Sequence, residues 1–302
     1  MTLASAAAEP ARDRPGAHQK LGRFVSGLAL LAVLIVVPTA AAVVSYDRMV
    51  RSNADREMQN TADLADVFLR EQNAGLAALM NSVAADAGLA EALSQAPAAD
   101  RLTTVNRVLR TLSAAGTDIS TVVVLDSGER VVGNLPGRVP IGYDLGKQTW
   151  FPDISDLDNY SVSAVFRSPV SGFDVTATTV TIHDFSGALV GYVVVSRKIT
   201  GYQRYVDSYG SGRGVRLSVL DGSGQLVADS EGAAPAGLSR VDRLARGATV
   251  LAGSGQIVAA SVPTSEAGGY GWRVVAQESK ATAMRPAVFF RAVAIGTAAV
   301  LL

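Results

Sequence analysis

The sequence predicts an α+β chain with an N-terminal transmembrane helix, a long stalk helix, two tandem mixed α/β modules with antiparallel sheets, and the start of a second transmembrane helix. Three observations carry this prediction. An uncharged apolar run fills residues 24–44, and a helical stripe follows it. A strand–turn–strand motif then occurs twice, about 95 residues apart.

The apolar run, FVSGLALLAVLIVVPTAAAVV, would span roughly 31 Å as a helix, enough for a bilayer core. Arg12, Arg14, Lys20 and Arg23 stand before it, within residues 1–23. The charges after it are mixed, from Asp47 and Arg48 to Arg56 and Glu57. The positive-inside bias therefore places residues 1–23 in the cytoplasm and the bulk of the chain outside. The rival reading is a cleaved signal peptide, supported by the small residues of Pro38-Thr39-Ala40-Ala41-Ala42. A long polar leader and an apolar run that continues past that site favour a retained anchor. Residues 286–302 are apolar around one charge, Arg291. They read either as a hydrophobic tail or docking helix, or as a second transmembrane helix cut off partway in a longer protein.

Residues 46–96 are predicted as one long helix. Val50, Ala54, Met58, Thr61, Ala65 and Phe68 step by three or four, Leu76, Leu79, Val83 and Ala87 resume the stripe, and no proline intervenes before Pro97. A helix over 99–114 carries Leu102, Val105, Val108, Leu109 and Leu112. Short strands with glycine turns follow. VVVLDSGERVVGN at 122–134 and LSVLDGSGQLVADS at 217–230 are the two copies of the hairpin. Asp126 and Asp221 accept from the turn backbone, and Gly128 and Gly224 supply positive φ. Further strands are expected at 174–182 and 188–199, joined by the turn His183-Asp184-Phe185-Ser186-Gly187, and at 256–262 and 272–277. One module accordingly covers 97–200 and the other 201–285.

Composition excludes several chemistries. Lys plus Arg and Asp plus Glu both number 27, so no broad basic field invites nucleic acid. Without cysteine there are no disulfides, thiolate metal sites or cysteine nucleophiles. His18 and His183 are the only histidines, so neither a metal site nor a cofactor is expected. His183 beside Asp184 reads as a solvated turn residue. No Gly-x-Ser-x-Gly elbow is present, so the chain is not read as an enzyme. Gly210-Ser211-Gly212-Arg213-Gly214 lacks the Gly-Lys-Ser/Thr ending of a phosphate loop and reads as a lead-in to a strand.

Three segments carry a resemblance: Tyr143-Asp144-Leu145-Gly146-Lys147-Gln148-Thr149-Trp150-Phe151, Phe166-Arg167-Ser168-Pro169-Val170-Ser171-Gly172, and His183 to Gly191, with Gly271-Trp272 leading the last strand. Their order after a long first helix resembles the double Cache family of bacterial sensor domains. The resemblance implies two PAS-like sheets, one distal and one proximal to the inner (plasma) membrane. It implies a small ligand in the distal module and a homodimer. Such domains sit on chemoreceptors, histidine kinases and cyclic-dinucleotide enzymes. The amino-acid-binding branch has an arginine where Gln148 stands and an aspartate where Ser168 stands. Both charged anchors are therefore replaced, which argues against a standard α-amino acid. Arg167 and Lys147 keep a carboxylate ligand open.

The candidate ligand-binding residues are Tyr143, Gln148, Trp150, Phe151, Asp153, Arg167, Ser168 and Asp174, which together offer aromatic walls and polar anchors. The competing reading makes Trp150 and Phe151 core and Asp153 a helix or turn cap. The function expected is extracytoplasmic small-molecule sensing with signal transfer through the membrane helices. The alternative is a membrane-anchored interaction or dimerisation module without a small ligand.

Overall fold

A computed structural model describes residues 16–94, 98–152, 160–211, 214–232, 247–250, 255–260 and 271–301. The chain divides into two compact units, residues 1–52 with 283–302, and residues 53–282.

The first helix, α1 (Gly16–Ala84), contains the apolar run and continues beyond it without interruption, passing through Pro38. It is long and apolar enough to cross a membrane. In the unit that holds its beginning, α1 meets α6 (Arg285–Leu301). Tyr46 packs on Phe290 with ring centroids 4.3 Å apart, and Val50 packs with Met284 and Ala287. Arg291, the lone charge of the C-terminal apolar stretch, forms an ion pair with Asp47.

In the other unit the predicted helix over 46–96 is broken. α1 ends at Ala84, and α2 (Ala87–Ser94) starts afresh after Asp86, whose carboxylate accepts the Gly88 N–H at 2.8 Å. An aspartate that satisfies a free N–H at a helix start favours a break over continuation. The buried stripe is also displaced beyond Ala65. Leu69, Asn73, Ala77 and Met80 are buried, while Phe68 and Leu79 are exposed. Asn73 is why the apolar pattern misleads there. It is a polar residue in a core position, and its Oδ1 accepts from the Tyr202 hydroxyl at 2.8 Å.

The helix α3 (Ala98–Ser113) lies with α2 and the end of α1 on one face of a six-stranded sheet. That sheet comprises β1 (Ile119–Asp126), β2 (Val131–Leu135), β3 (Ser161–Val162), β4 (Phe166–Arg167), β5 (Asp174–His183) and β6 (Leu189–Lys198). Its order is β2-β1-β6-β5-β3, with β4 also on β5, and every pairing is antiparallel. Alternation divides the strand residues between the two faces. Val122, Val124, Val180, Ile182, Val193 and Val195 pack under the helices. Val123, Leu125, Ala177, Tyr192 and Val194 face the other way.

A second sheet has the order β8-β7-β11-β10-β9. Its strands are β7 (Arg216–Leu220), β8 (Leu226–Asp229), β9 (Gly247–Val250), β10 (Gln256–Ala260) and β11 (Arg273–Ser279). The helix α4 (Thr200–Ser211) leads into it, and a short α5 (Lys280–Ala283) follows it. Tyr202 of α4 meets Trp272 edge-on at 5.0 Å. Both hairpins of the repeat form, as β1–β2 and β7–β8. The two sheets are joined by a buried hydrogen bond, in which the Val165 N–H donates to Asp221 Oδ2 at 2.8 Å.

Candidate ligand-binding cavity

A cavity of about 260 Å³ opens on the face of the six-stranded sheet that the helices leave uncovered. Its floor is Thr121 and Val123 of β1 with Val194 and Ser196 of β6. Phe166, Ser168, Pro169 and Val170 form one wall. The segment after β2 forms the other, with Arg138, Val139, Pro140, Tyr143, Leu145, Gln148 and Trp150.

Backbone bonds fold that segment back over the sheet. Gly142 N–H donates to Val131 O at 2.7 Å, Val131 N–H to Tyr143 O at 2.9 Å, and Leu145 N–H to Glu129 O at 3.0 Å. Two further turns, Gln148 N–H to Leu145 O and Phe151 N–H to Gln148 O, both 3.0 Å, bring the aromatic pair onto the cavity. Trp150 then stacks on Phe166, with centroids 4.4 Å apart and planes 2° from parallel. Phe151 stands edge-on to Tyr192 at 5.7 Å. Burial, helped by the nearby Glu129 carboxylate, pushes the Tyr192 phenol up to about 12.

Four of the residues expected from the sequence line the cavity: Tyr143, Gln148, Trp150 and Ser168. Gln148 Nε2 donates to the Tyr143 hydroxyl at 3.2 Å, so these two act as one polar group. Ser168 Oγ accepts the N–H groups of Val170 and Ser171 at 3.3 and 3.2 Å, which shapes the wall. Phe151 is not a lining residue and packs in the core beside Trp150 and Tyr192. Arg167 and Asp174 stand away from the cavity. They are register partners on β4 and β5, 3.4 Å apart, with side chains 72% and 44% exposed. Lys147 is held outside as well, 3.0 Å from Asp144, and its hydrogen bond keeps that carboxyl below the usual carboxylate range. Asp153 lies outside the described residues. His183 ends β5, with Nδ1 3.1 Å from Gly187 O, as a hairpin residue.

Of the polar lining residues, the sequence reading missed Arg138, Thr121 and Ser196. For two of them a signal existed. Thr121 stands in phase with Val123 and Leu125, and Ser196 with Val194 and Tyr192, so each is a polar residue on an otherwise apolar buried face. Arg138 had no such signal, because a loop fold brings it to the rim. The lining offers hydroxyls, an amide, aromatic faces and a guanidinium, but no histidine or carboxylate among the described residues. Those groups suit recognition. Also among the described residues, no three His, Asp or Glu cluster as a metal site would need.

No protein-family model and no curated protein sequence matches the chain. Solved structures do match it. The ligand-binding domain of the Pseudomonas fluorescens chemoreceptor CtaA in complex with L-leucine has a TM-score of 0.59 at 12% identity, covering 78% of this chain and 99% of that one. The ligand-binding domain of the Pseudomonas aeruginosa amino acid chemoreceptor PctC in complex with GABA has a TM-score of 0.57 at 17% identity, covering 74% and 99%. That of the Campylobacter jejuni chemoreceptor Tlp3 in complex with L-valine reaches 0.61 at 10% identity, covering 79% and 97%. These three structures are chemoreceptor ligand-binding domains, and the chain shares their fold, which is the double Cache fold that its sequence resembles.

Proposed function

We propose that this chain is the membrane-anchored, extracytoplasmic sensing region of a receptor, and that the cavity over β1 and β6 binds its small-molecule ligand. The cavity is the observation that carries the proposal. It is concave, walled by stacked aromatic rings, and furnished with a few convergent polar groups, as small-molecule sites are. The fold agrees, since the similar structures are ligand-binding domains. In this proposal the start of α1 anchors the chain in the bacterial inner membrane, and α6 enters the membrane beside it. Ligand binding shifts the balance between two arrangements of sheets and helices, by as much as the ligand prefers one of them. The chain acts as a homodimer, for which the exposed Leu64 and Val67 of α1 offer an apolar strip. Sedimentation of the detergent-solubilised chain as a monomer would count against that last element.

The test of sensing is thermal unfolding of the full chain in detergent micelles, with carboxylates, amines, amino acids, purines and sugars added in turn. A ligand at a hundredfold excess over its Kd adds about 2.7 kcal/mol, or roughly 5–10 °C for a unit of this size. At least one class is expected to raise Tm, and Ser196→Phe, which fills the cavity floor, is expected to abolish the rise. No rise with any class favours an anchored interaction module that takes no small ligand.

A further inference from the structure

We propose that the cavity selects a small organic anion bearing a carboxylate and no ammonium group, with Arg138 as the carboxylate anchor. This rests on the cavity being the ligand site. The argument begins with formal charge. Among the described lining residues Arg138 is the only charged side chain. No carboxylate among the described residues pairs with it. The neighbouring cations are committed elsewhere: Lys147 to Asp144, Arg167 to Asp174, and Arg130 to the Gly142 carbonyl.

The backbone that carries Arg138 is held in place. It sits in a tight loop that Asn134 clasps from both sides, with Asn134 Nδ2 donating to Val139 O at 2.7 Å and Val139 N–H donating to Asn134 Oδ1 at 3.1 Å. Gly137, at φ 72°, makes the bend that precedes it. These bonds hold the backbone at the rim, from which the exposed Arg138 side chain presents a guanidinium fork that matches a carboxylate, and charge-assisted bonds of this kind are the strong ones.

The floor supplies a second observation. Thr121 is only 4% exposed, and its Oγ1 has no hydrogen-bond partner in the folded chain. A buried hydroxyl without a partner costs stability unless something else satisfies it. Thr121 belongs to the cavity floor together with Ser196, its register partner. A ligand whose carboxylate meets Arg138 lies over a floor that carries these two hydroxyl-bearing residues. An ammonium group fares differently. It would lose its water while facing neutral hydroxyls, with Arg138 as a like charge, and no carboxylate among the described lining residues would compensate it.

The experiment is calorimetric titration of the full chain in detergent micelles with probes that share a carbon skeleton. These are 4-methylpentanoate, L-leucine and 4-methyl-1-pentanol, then propanoate with L-alanine and pentanoate with L-norvaline. At least one carboxylate is expected to bind about tenfold or more tighter than both its amino-acid counterpart and the alcohol. Arg138→Gln is expected to weaken that carboxylate at least tenfold, and Arg138→Lys to weaken it less. The proposal is overturned if every amino acid binds as well as its deaminated partner, if Arg138→Gln leaves carboxylate affinity unchanged, or if no carboxylate binds. The Ser196→Phe variant separates this failure from that of the underlying reading. Amino-acid binding that Ser196→Phe abolishes keeps the cavity as the ligand site and removes only the anion preference. Binding that survives Ser196→Phe removes both.

Discussion

Turn chemistry at single residues explains why the internal repeat was visible and why one detail of it was misplaced. Asp126, Asp184 and Asp221 each accept, through Oδ1, the N–H groups two and four residues ahead at 2.8–3.0 Å. The left-handed residue is the third after the aspartate in every case: Glu129 at φ 62°, Gly187 at 82° and Gly224 at 83°. The first hairpin thus puts a glutamate in the conformation expected of Gly128, because the glycine stands one place early in that copy. Tyr192 offers a pH test at the same scale. Its phenol, pushed up to about 12 by burial first and by Glu129 second, stays protonated in the fold when an unfolded tyrosine near 10 has ionised. The unfolded chain then binds fewer protons, so stability falls as pH rises from about 10 to about 12. Below pH 10 this group makes no difference. Urea unfolding of wild type and Tyr192→Phe is expected to show a difference that shrinks across that window, by up to about 2–3 kcal/mol. A constant difference would refute the assignment.

Among the elements, the strands were the most legible. β5 and β6 fall within a residue or two of the expected runs, because a strand buried on both faces must be nearly continuous in apolar and β-branched residues. The long helix was legible in its existence but not in its end. An apolar stripe says where a helix can pack, whereas Asp86 ends one helix and caps the next. Its other carboxylate oxygen meets Arg107 of α3 at 3.0 Å, an exposed pair that adds little. Asp86→Ala is therefore expected to cost about 1 kcal/mol, and Asp86→Asn, which keeps the cap, well under half of that. Chemical denaturation monitored by helical circular dichroism would measure both. An equal loss in the two variants would show that the ion pair, and not the cap, secures α2.

For the whole of residues 53–282, long-range polar contacts decide how the parts are joined. Asn73 of α1, Asp118 before β1, Arg197 of β6 and Tyr202 of α4 form one network, with Arg197 Nη2 2.6 Å from Asp118 Oδ2. The two sheets are linked by Asp221, which is 2% exposed. It closes its own turn with Oδ1 and takes the Val165 N–H with Oδ2, next to Phe166 on the cavity wall. Asp126 closes an equivalent turn and makes no such second bond to another described residue. Asp221→Ala should thus cost about 3 kcal/mol and Asp126→Ala about 1 kcal/mol, since only the former strands a buried N–H between sheets. Equilibrium urea unfolding of the full chain in micelles tests this, and equal losses would mean that the inter-sheet bond contributes nothing. By itself the sequence determined the apolar run of α1, the α+β class and the paired hairpins, because each is written in local periodicity or turn chemistry, and it pointed to four residues of the cavity lining. Only the tertiary structure decided that Arg138 and Thr121 share a cavity, that Arg167 and Lys147 are spent on neighbouring carboxylates, and that Asp221 joins two sheets. Those facts depend on which distant segments meet, and no local pattern of residues encodes a meeting between positions 56 residues apart.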